Sequence, residues 1–104
     1  MSVLSITFHC TKNNLENWEN YMNETLIAMT ENLLDVNKYI LSEVHSDYIE
    51  EGKNYNLLLV FDNDNLREDF VKSELQNIAE RVEAEFGTEV MIFNTLLNPK
   101  KTRF

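Results

Sequence analysis

The sequence predicts an α+β fold with the element order β-α-β-β-α-β. Three observations predict it: four segments alternate with period two, two segments repeat at three-to-four spacing, and each helical segment falls between two strands. With 104 residues the chain reads as a single domain, 1–104, with 98–104 as a flexible tail around the one proline, Pro99. A chain of this size hides about two thirds of its unfolded surface, enough for one modest core.

The first segment, 3–10, places Leu4, Ile6 and Phe8 on one face and Val3, Ser5, Thr7 and His9 on the other, so it is a strand with one apolar face. The second, 15–32, is a helix whose stripe is Leu15, Trp18, Met22, Leu26, Met29 and Leu33, with Asn13 and Glu16 as a capping pair. Segments 38–46 and 54–62 read as a hairpin. Ile40, Ser42 and Val44 share one parity of the first arm, and Tyr39, Leu41, Glu43 and His45 the other. Tyr55, Leu57, Leu59 and Phe61 oppose Leu58 and Val60 in the second, with Gly52 expected at positive φ in the turn. The helix expected over 66–86 carries Leu66, Phe70 and Val71 and then Leu75, Ile78, Val82 and Phe86, a stripe that drifts round the cylinder. Asn65 with Glu68 would cap it and Gly87 would close it. The last strand, 89–97, is apolar on both parities. This order is the split β-α-β, or ferredoxin-like, arrangement: a four-stranded antiparallel sheet with two helices on one face. Strands one and four are expected to be central to the pairing of the two halves.

Two helices cover one side only. The other side should be polar if it faces water, yet Leu58 and Val60 fall there with Ser5, Thr7, His9, Asn54 and Asn56, and Met91 and Leu97 join them on one of the two parities that 89–97 leaves open. A contiguous apolar patch of that kind is rare on a soluble monomer, so these four residues are the expected contacts of a homodimer packed sheet to sheet. A loop or the C-terminal tail folded over the patch is the other way to cover it.

Eighteen acidic against nine basic residues give a formal charge of −9. Phosphate backbones and anionic membranes both demand clustered Lys and Arg, so neither nucleic acid nor a membrane is an expected partner. Only Lys100, Lys101 and Arg103 cluster, and they lie in the tail. The longest apolar run, Leu57 to Phe61, is five residues, where a bilayer span needs about 20. Cys10 is the single cysteine, and the N-terminus has no positive n-region, so the expected location is cytoplasmic. Two glycines are too few for a phosphate-cradling loop.

Trp18-Glu19-Asn20-Tyr21-Met22 early in helix one, Tyr55 opening the third strand and Phe93-Asn94-Thr95-Leu96-Leu97 near the end carry a resemblance that runs the length of the chain. It resembles a small bacterial family, a domain of unknown function, of the dimeric α+β-barrel, ferredoxin-like superfamily. That resemblance implies a homodimer whose two sheets face each other. The superfamily also includes cofactor-free monooxygenases and haem-degrading enzymes with a polar pocket between sheet and helices. Where related sequences carry His-Ile-Pro on helix one, this chain has Leu26-Ile27-Ala28, which removes the most reactive side chain.

Chemistry-bearing residues are sparse. His9 and Cys10 point to opposite faces and cannot share a metal, and no Cys-x-x-Cys exists, so neither a metal nor a cofactor is expected. Cys10 reads as a small buried thiol. Asp62-Asn63-Asp64-Asn65 opens like a calcium loop, but Arg67 and Ser73 stand where Gly and Glu are required; the stretch reads as a turn and helix cap. His9 and His45 are weak catalytic candidates if both reach the open face, and Thr7, Trp18, Asn56 and Phe93 could line a pocket for a small hydrophobic ligand. Two functions therefore stand. The favoured one is a non-enzymatic homodimeric binding or interaction module. The alternative is a cofactor-free monooxygenase-like or haem-linked enzyme that uses His9, His45, Thr7 and Asn56 on a small hydrophobic substrate.

Overall fold

The computed structural model describes residues 1–45 and 51–103. The chain runs through β1 (Ser2–Thr11), a 3₁₀ turn, α1 (Leu15–Tyr21), a π turn (Met22–Leu26), α2 (Ile27–Glu31), β2 (Lys38–Glu43) and β3 (Gly52–Phe61). It continues with α3 (Asp64–Lys72), α4 (Glu74–Phe86), a second 3₁₀ turn and β4 (Val90–Leu97). All strand pairs are antiparallel and the sheet order is β2-β3-β1-β4. β1 and β3 are thus the centre, and β4 is an edge strand rather than the central one expected. The hairpin turn expected at Glu51-Gly52-Lys53 is not there: Gly52 and Lys53 already belong to β3, and residues 46–50 before them lie outside the described residues.

Registers sort every strand residue to a face. Leu4, Ile6, Phe8 and Cys10 of β1 stand opposite Leu59, Leu57, Tyr55 and Lys53 of β3, and Tyr39 and Leu41 of β2 join them beside Leu59 and Leu57. This face meets Trp18, Met22 and Leu26 from the first helical arm and Phe70, Leu75, Ile78 and Val82 from the second, in one buried core. Among the described residues no helix is long and apolar enough to cross a membrane.

The first arm is continuous: backbone angles stay helical at Met22 and Ile27, on either side of the π turn. Its buried residues, Trp18, Met22, Leu26 and Thr30, are spaced strictly by four. Such a row drifts about 40° per step on an α-helix, and the wider i→i+5 turn takes up the drift. The second arm is broken where one helix was expected over 66–86. Ser73 leaves helical geometry at φ −120° and ψ −76°, and its Oγ donates to the Asp69 carbonyl at 2.6 Å. From Phe70 to Leu75 the stripe steps by five, about 140° on a straight helix, so the break brings both half-stripes onto the sheet.

Both expected caps fall elsewhere. Asn14, not Asn13, precedes α1, after a 3₁₀ turn and with no side-chain bond. Asn63, not Asn65, caps α3: its Oδ1 accepts from the Leu66 N–H at 2.9 Å. Gly87 closes α4 at φ 58° as expected, and among the described residues it alone has positive φ. Gly52 therefore does not supply a left-handed turn. It pairs with Thr11, and a Cβ there would lie 2.1 Å from the Cys10 carbonyl oxygen, so glycine permits the close approach of β1 and β3.

Candidate functional site

The face away from the helices is ordered in rows across β2, β3, β1 and β4. Lys38, Val60, Val3 and Leu97 form the first; Ile40, Leu58, Ser5 and Thr95 the second; Ser42, Asn56, Thr7 and Phe93 the third. Asn54, His9 and Met91 follow, and the Val44 N–H donates to the Asn54 carbonyl at 2.9 Å to continue the ladder. Apolar side chains occupy one end and the β4 edge: Ile40 is 58 % exposed, Phe93 55 % and Met91 47 %. Between them runs a polar band. Asn56 Nδ2 donates to Ser5 Oγ at 2.8 Å and to Thr7 Oγ1 at 3.3 Å. His9 Nδ1 lies 2.6 Å from Asn54 Oδ1. No paired position on this face carries a carboxylate, although the chain has eighteen.

One buried cation fastens an end of this face. Arg67 is 7 % exposed, and its Nη1 donates to the carbonyls of Val3 at 3.1 Å and Leu97 at 2.9 Å. Asp64, which also accepts from Ser2 Oγ, balances the charge with Oδ1 3.6 Å from Arg67 Nη2. The guanidinium thus ties the start of β1 to the end of edge strand β4. Sequence reasoning missed this role and placed Arg67 only in a rejected calcium loop. The available signal was its place between Asn63 and Phe70 at four and three residues, on the buried stripe of α3.

The covered side is packed around aromatic rings. Trp18 is fully buried among Phe8, Tyr21, Tyr55 and Phe86, with ring centroids 5.1 to 6.4 Å away. Tyr55 donates its hydroxyl to Glu19 at 2.8 Å. Burial first, and then that carboxylate, hold the phenol above its ordinary range. Burial, aided by the charges of Glu89 and Glu19, pushes the Cys10 thiol up to about 11. A thiol held neutral in this way is a poor nucleophile.

The predicted site residues divide accordingly. Leu58, Val60, Met91 and Leu97, the expected dimer contacts, share the open face. Thr7, Asn56 and Phe93 lie abreast in its third row, but Trp18 is beneath the other side of the sheet, so the four line no common pocket. His9 is in the polar band. His45 follows the end of β2 and lines a rim concavity of about 190 Å³ with Leu15, Glu43 and Lys53, while Glu43 and Lys53 are ion-paired at 2.7 Å. His9 thus has Asn54 beside it within the sheet, whereas His45 lies past the end of β2, which closes at Glu43. Among the described residues no cluster of three His, Cys, Asp or Glu side chains is placed to hold a metal.

Comparison with known proteins agrees with the fold. A dimeric ferredoxin-like protein from an uncultured marine organism superimposes with a TM-score of 0.60 at 9 % identity, covering 99 % of this chain and 100 % of that one. A proposed antibiotic biosynthesis monooxygenase from Deinococcus radiodurans gives 0.68 at 10 % identity over 100 % and 97 %. An EthD-family protein from Bacillus halodurans gives 0.67 at 10 % identity over 91 % and 97 %. No curated protein matches by sequence. Residues 1–100 match the family described as Domain of unknown function (DUF4286), and the chain belongs to that family.

Proposed function

We propose that this member of a ferredoxin-like family is a homodimeric binding module in which the open faces of two sheets close on each other. The observation that carries the reading is the makeup of that face: it holds exposed Ile40, Phe93, Met91 and Leu97 and no paired carboxylate. With a net charge of −9 per copy, association needs a surface from which acid is excluded, and this one qualifies. The area is adequate. Four strands about 4.8 Å apart and eight residues long make a sheet of roughly 19 by 26 Å, or ~1,000 Å² for a facing pair. Two of the structural relatives described as ferredoxin-like are also described as dimeric, which supports the reading.

The catalytic alternative needs His9 or His45 in a concavity walled by Trp18 or Phe93. The space beside Trp18 is filled by Phe8, Tyr21, Tyr55 and Phe86, and the concavity that holds His45 includes neither wall. Geometry therefore favours association over catalysis.

Leu58→Asp tests the proposal. It sets a carboxylate in the second row, and light scattering at micromolar concentration should change from about 25 kDa to about 12 kDa, the mass of one copy. A wild-type chain that runs at 12 kDa throughout would overturn the reading.

A further inference from the structure

We propose that Asn56, Ser5 and Thr7 form a polar key that sets the register between the two copies, an inference that rests on the sheet-to-sheet association above. Interfaces usually put apolar groups at the centre and polar groups at the rim. Here the order is reversed along the face. Leu58, Val60 and Val3 lie beside the triad and toward one end of β1 and β3, Phe93 and Met91 line the β4 edge beside it, and the polar pair His9 and Asn54 continues the band toward the other end. Apolar contact is non-directional, so these flanks would tolerate several offsets of one sheet on another.

The triad would not. Asn56 spends its amide N–H groups on the oxygens of Ser5 and Thr7. That leaves each copy two hydroxyl protons and Asn56 Oδ1, which an open face gives to water. A two-fold axis lays a patch on its own image. The hydroxyls of one copy then meet the Asn56 Oδ1 of the other, donor to acceptor in both directions. A slip of one row toward Val3 instead lays them on Leu58, and a sideways slip of one strand toward β4 lays them on Phe93; either strands them unpaired. The occupant is a second copy because the inventory is self-complementary and uncharged, and because no paired position of the face carries a carboxylate to repel an equally acidic partner.

The test uses the full chain with a single spin label at Glu83→Cys, on the exposed side of α4, in a Cys10→Ala background. Pulsed dipolar spectroscopy should give one narrow label-to-label distance when the triad is intact. Ser5→Ala, Thr7→Val and Asn56→Leu together should keep the dimer but split or broaden that distance. Asn56→Leu alone strands the hydroxyls and should raise the dissociation constant at least tenfold by sedimentation, with Thr7→Val alone acting in the same direction. A single narrow distance in the triple variant, or single variants that bind like wild type, would sink the key while leaving the dimer intact. A monomeric parent chain would sink both.

Discussion

On the covered face Leu4, Ile6 and Phe8 of β1 lie against Leu57 and Leu59 of β3, and none is more than 1 % exposed. Their chain neighbours Ser5, Thr7 and His9, one residue away and on the opposite face, remain half-exposed. Both faces use the same strands, ladders and twist, so the backbone does not separate them. What differs is the cover. Helices supply one face with Trp18, Met22, Leu26, Phe70 and Ile78, and each buried side chain contributes about 1.5–3 kcal/mol. On the open face Val3 alone among the described side chains is buried, and the rest is a mixture: too apolar for water, too polar for a dry core. A face that completes its packing in one copy can be uniformly apolar, while the association proposed above would need polar groups on the open face to keep the single copy soluble and to set the alignment of the pair.

The largest effects should come from the covered face. Trp18→Ala removes the ring that touches Phe8, Tyr21, Tyr55 and Phe86, and urea unfolding should show a loss of about 3–5 kcal/mol. A loss under 1 kcal/mol would mean that the two faces are packed alike.

Next is Arg67→Met, which sharpens the comparison because Arg67 belongs to the covered side yet holds an end of the open face. Two carbonyls lose a charged donor, and Asp64 loses its counter-charge. The expected cost is about 2–3 kcal/mol, with faster amide exchange confined to the end of β4 and the start of β1. Arg67→Lys should recover part of it. By contrast the exposed Lys72–Glu68 pair, at 2.8 Å, should be nearly silent when Lys72 is replaced by Met.

A pH test follows from Cys10. Its thiol ionises near 11 in the fold and near 9.0 when unperturbed. Between these values the unfolded chain has released a proton that the folded chain retains, so stability is level below pH 9, falls through the window and has lost the contribution above it. Chemical unfolding at pH 8, 9.5 and 10.5 should show the decline; Cys10→Ala should flatten it at 9.5 and lessen it at 10.5, where the phenols of Tyr55, Tyr21 and Tyr39, also raised, add their own. An equally steep decline in that variant would assign the effect to other groups.

Much of this was legible from pattern. Period two identified β1 and β3, each with one face against the core, and the apolar stretches of β2 and β4 completed an order that sufficed for the topology class. Parity alone put the four expected dimer contacts, Leu58, Val60, Met91 and Leu97, on one face. Sheet order was misjudged: local alternation does not say which strands pair, and β4 turned out to be an edge. Trp18 was grouped with Thr7 and Asn56 because an aromatic residue suits both a pocket and a core, and only the placement of α1 distinguishes them. Arg67 escaped because a charged residue on a buried stripe looks like a flaw until the carbonyls of Val3 and Leu97 are placed beside it. The helix break at Ser73 was visible as a drifting stripe, but drift fits a curved helix as well as a broken one.

The smallest effect separates two asparagines that the same sequence rule treats alike. Asx followed by Glu three residues later pointed to Asn13 and Asn65 as caps, yet the fold uses Asn63 for α3 and gives α1 no side-chain cap at all. The difference lies in what precedes each helix. Asn63 leaves β3 in extended geometry, φ −152° and ψ 172°, and this aims its Oδ1 at the Leu66 N–H. Before α1 the chain is already wound in a 3₁₀ turn over Lys12–Asn14, and a residue in a turn cannot present an extended cap. Asn63→Ala should therefore cost about 1 kcal/mol and Asn13→Ala only a few tenths in thermal or urea unfolding. Equal losses at both sites would mean that α1 draws on a cap its backbone geometry does not provide.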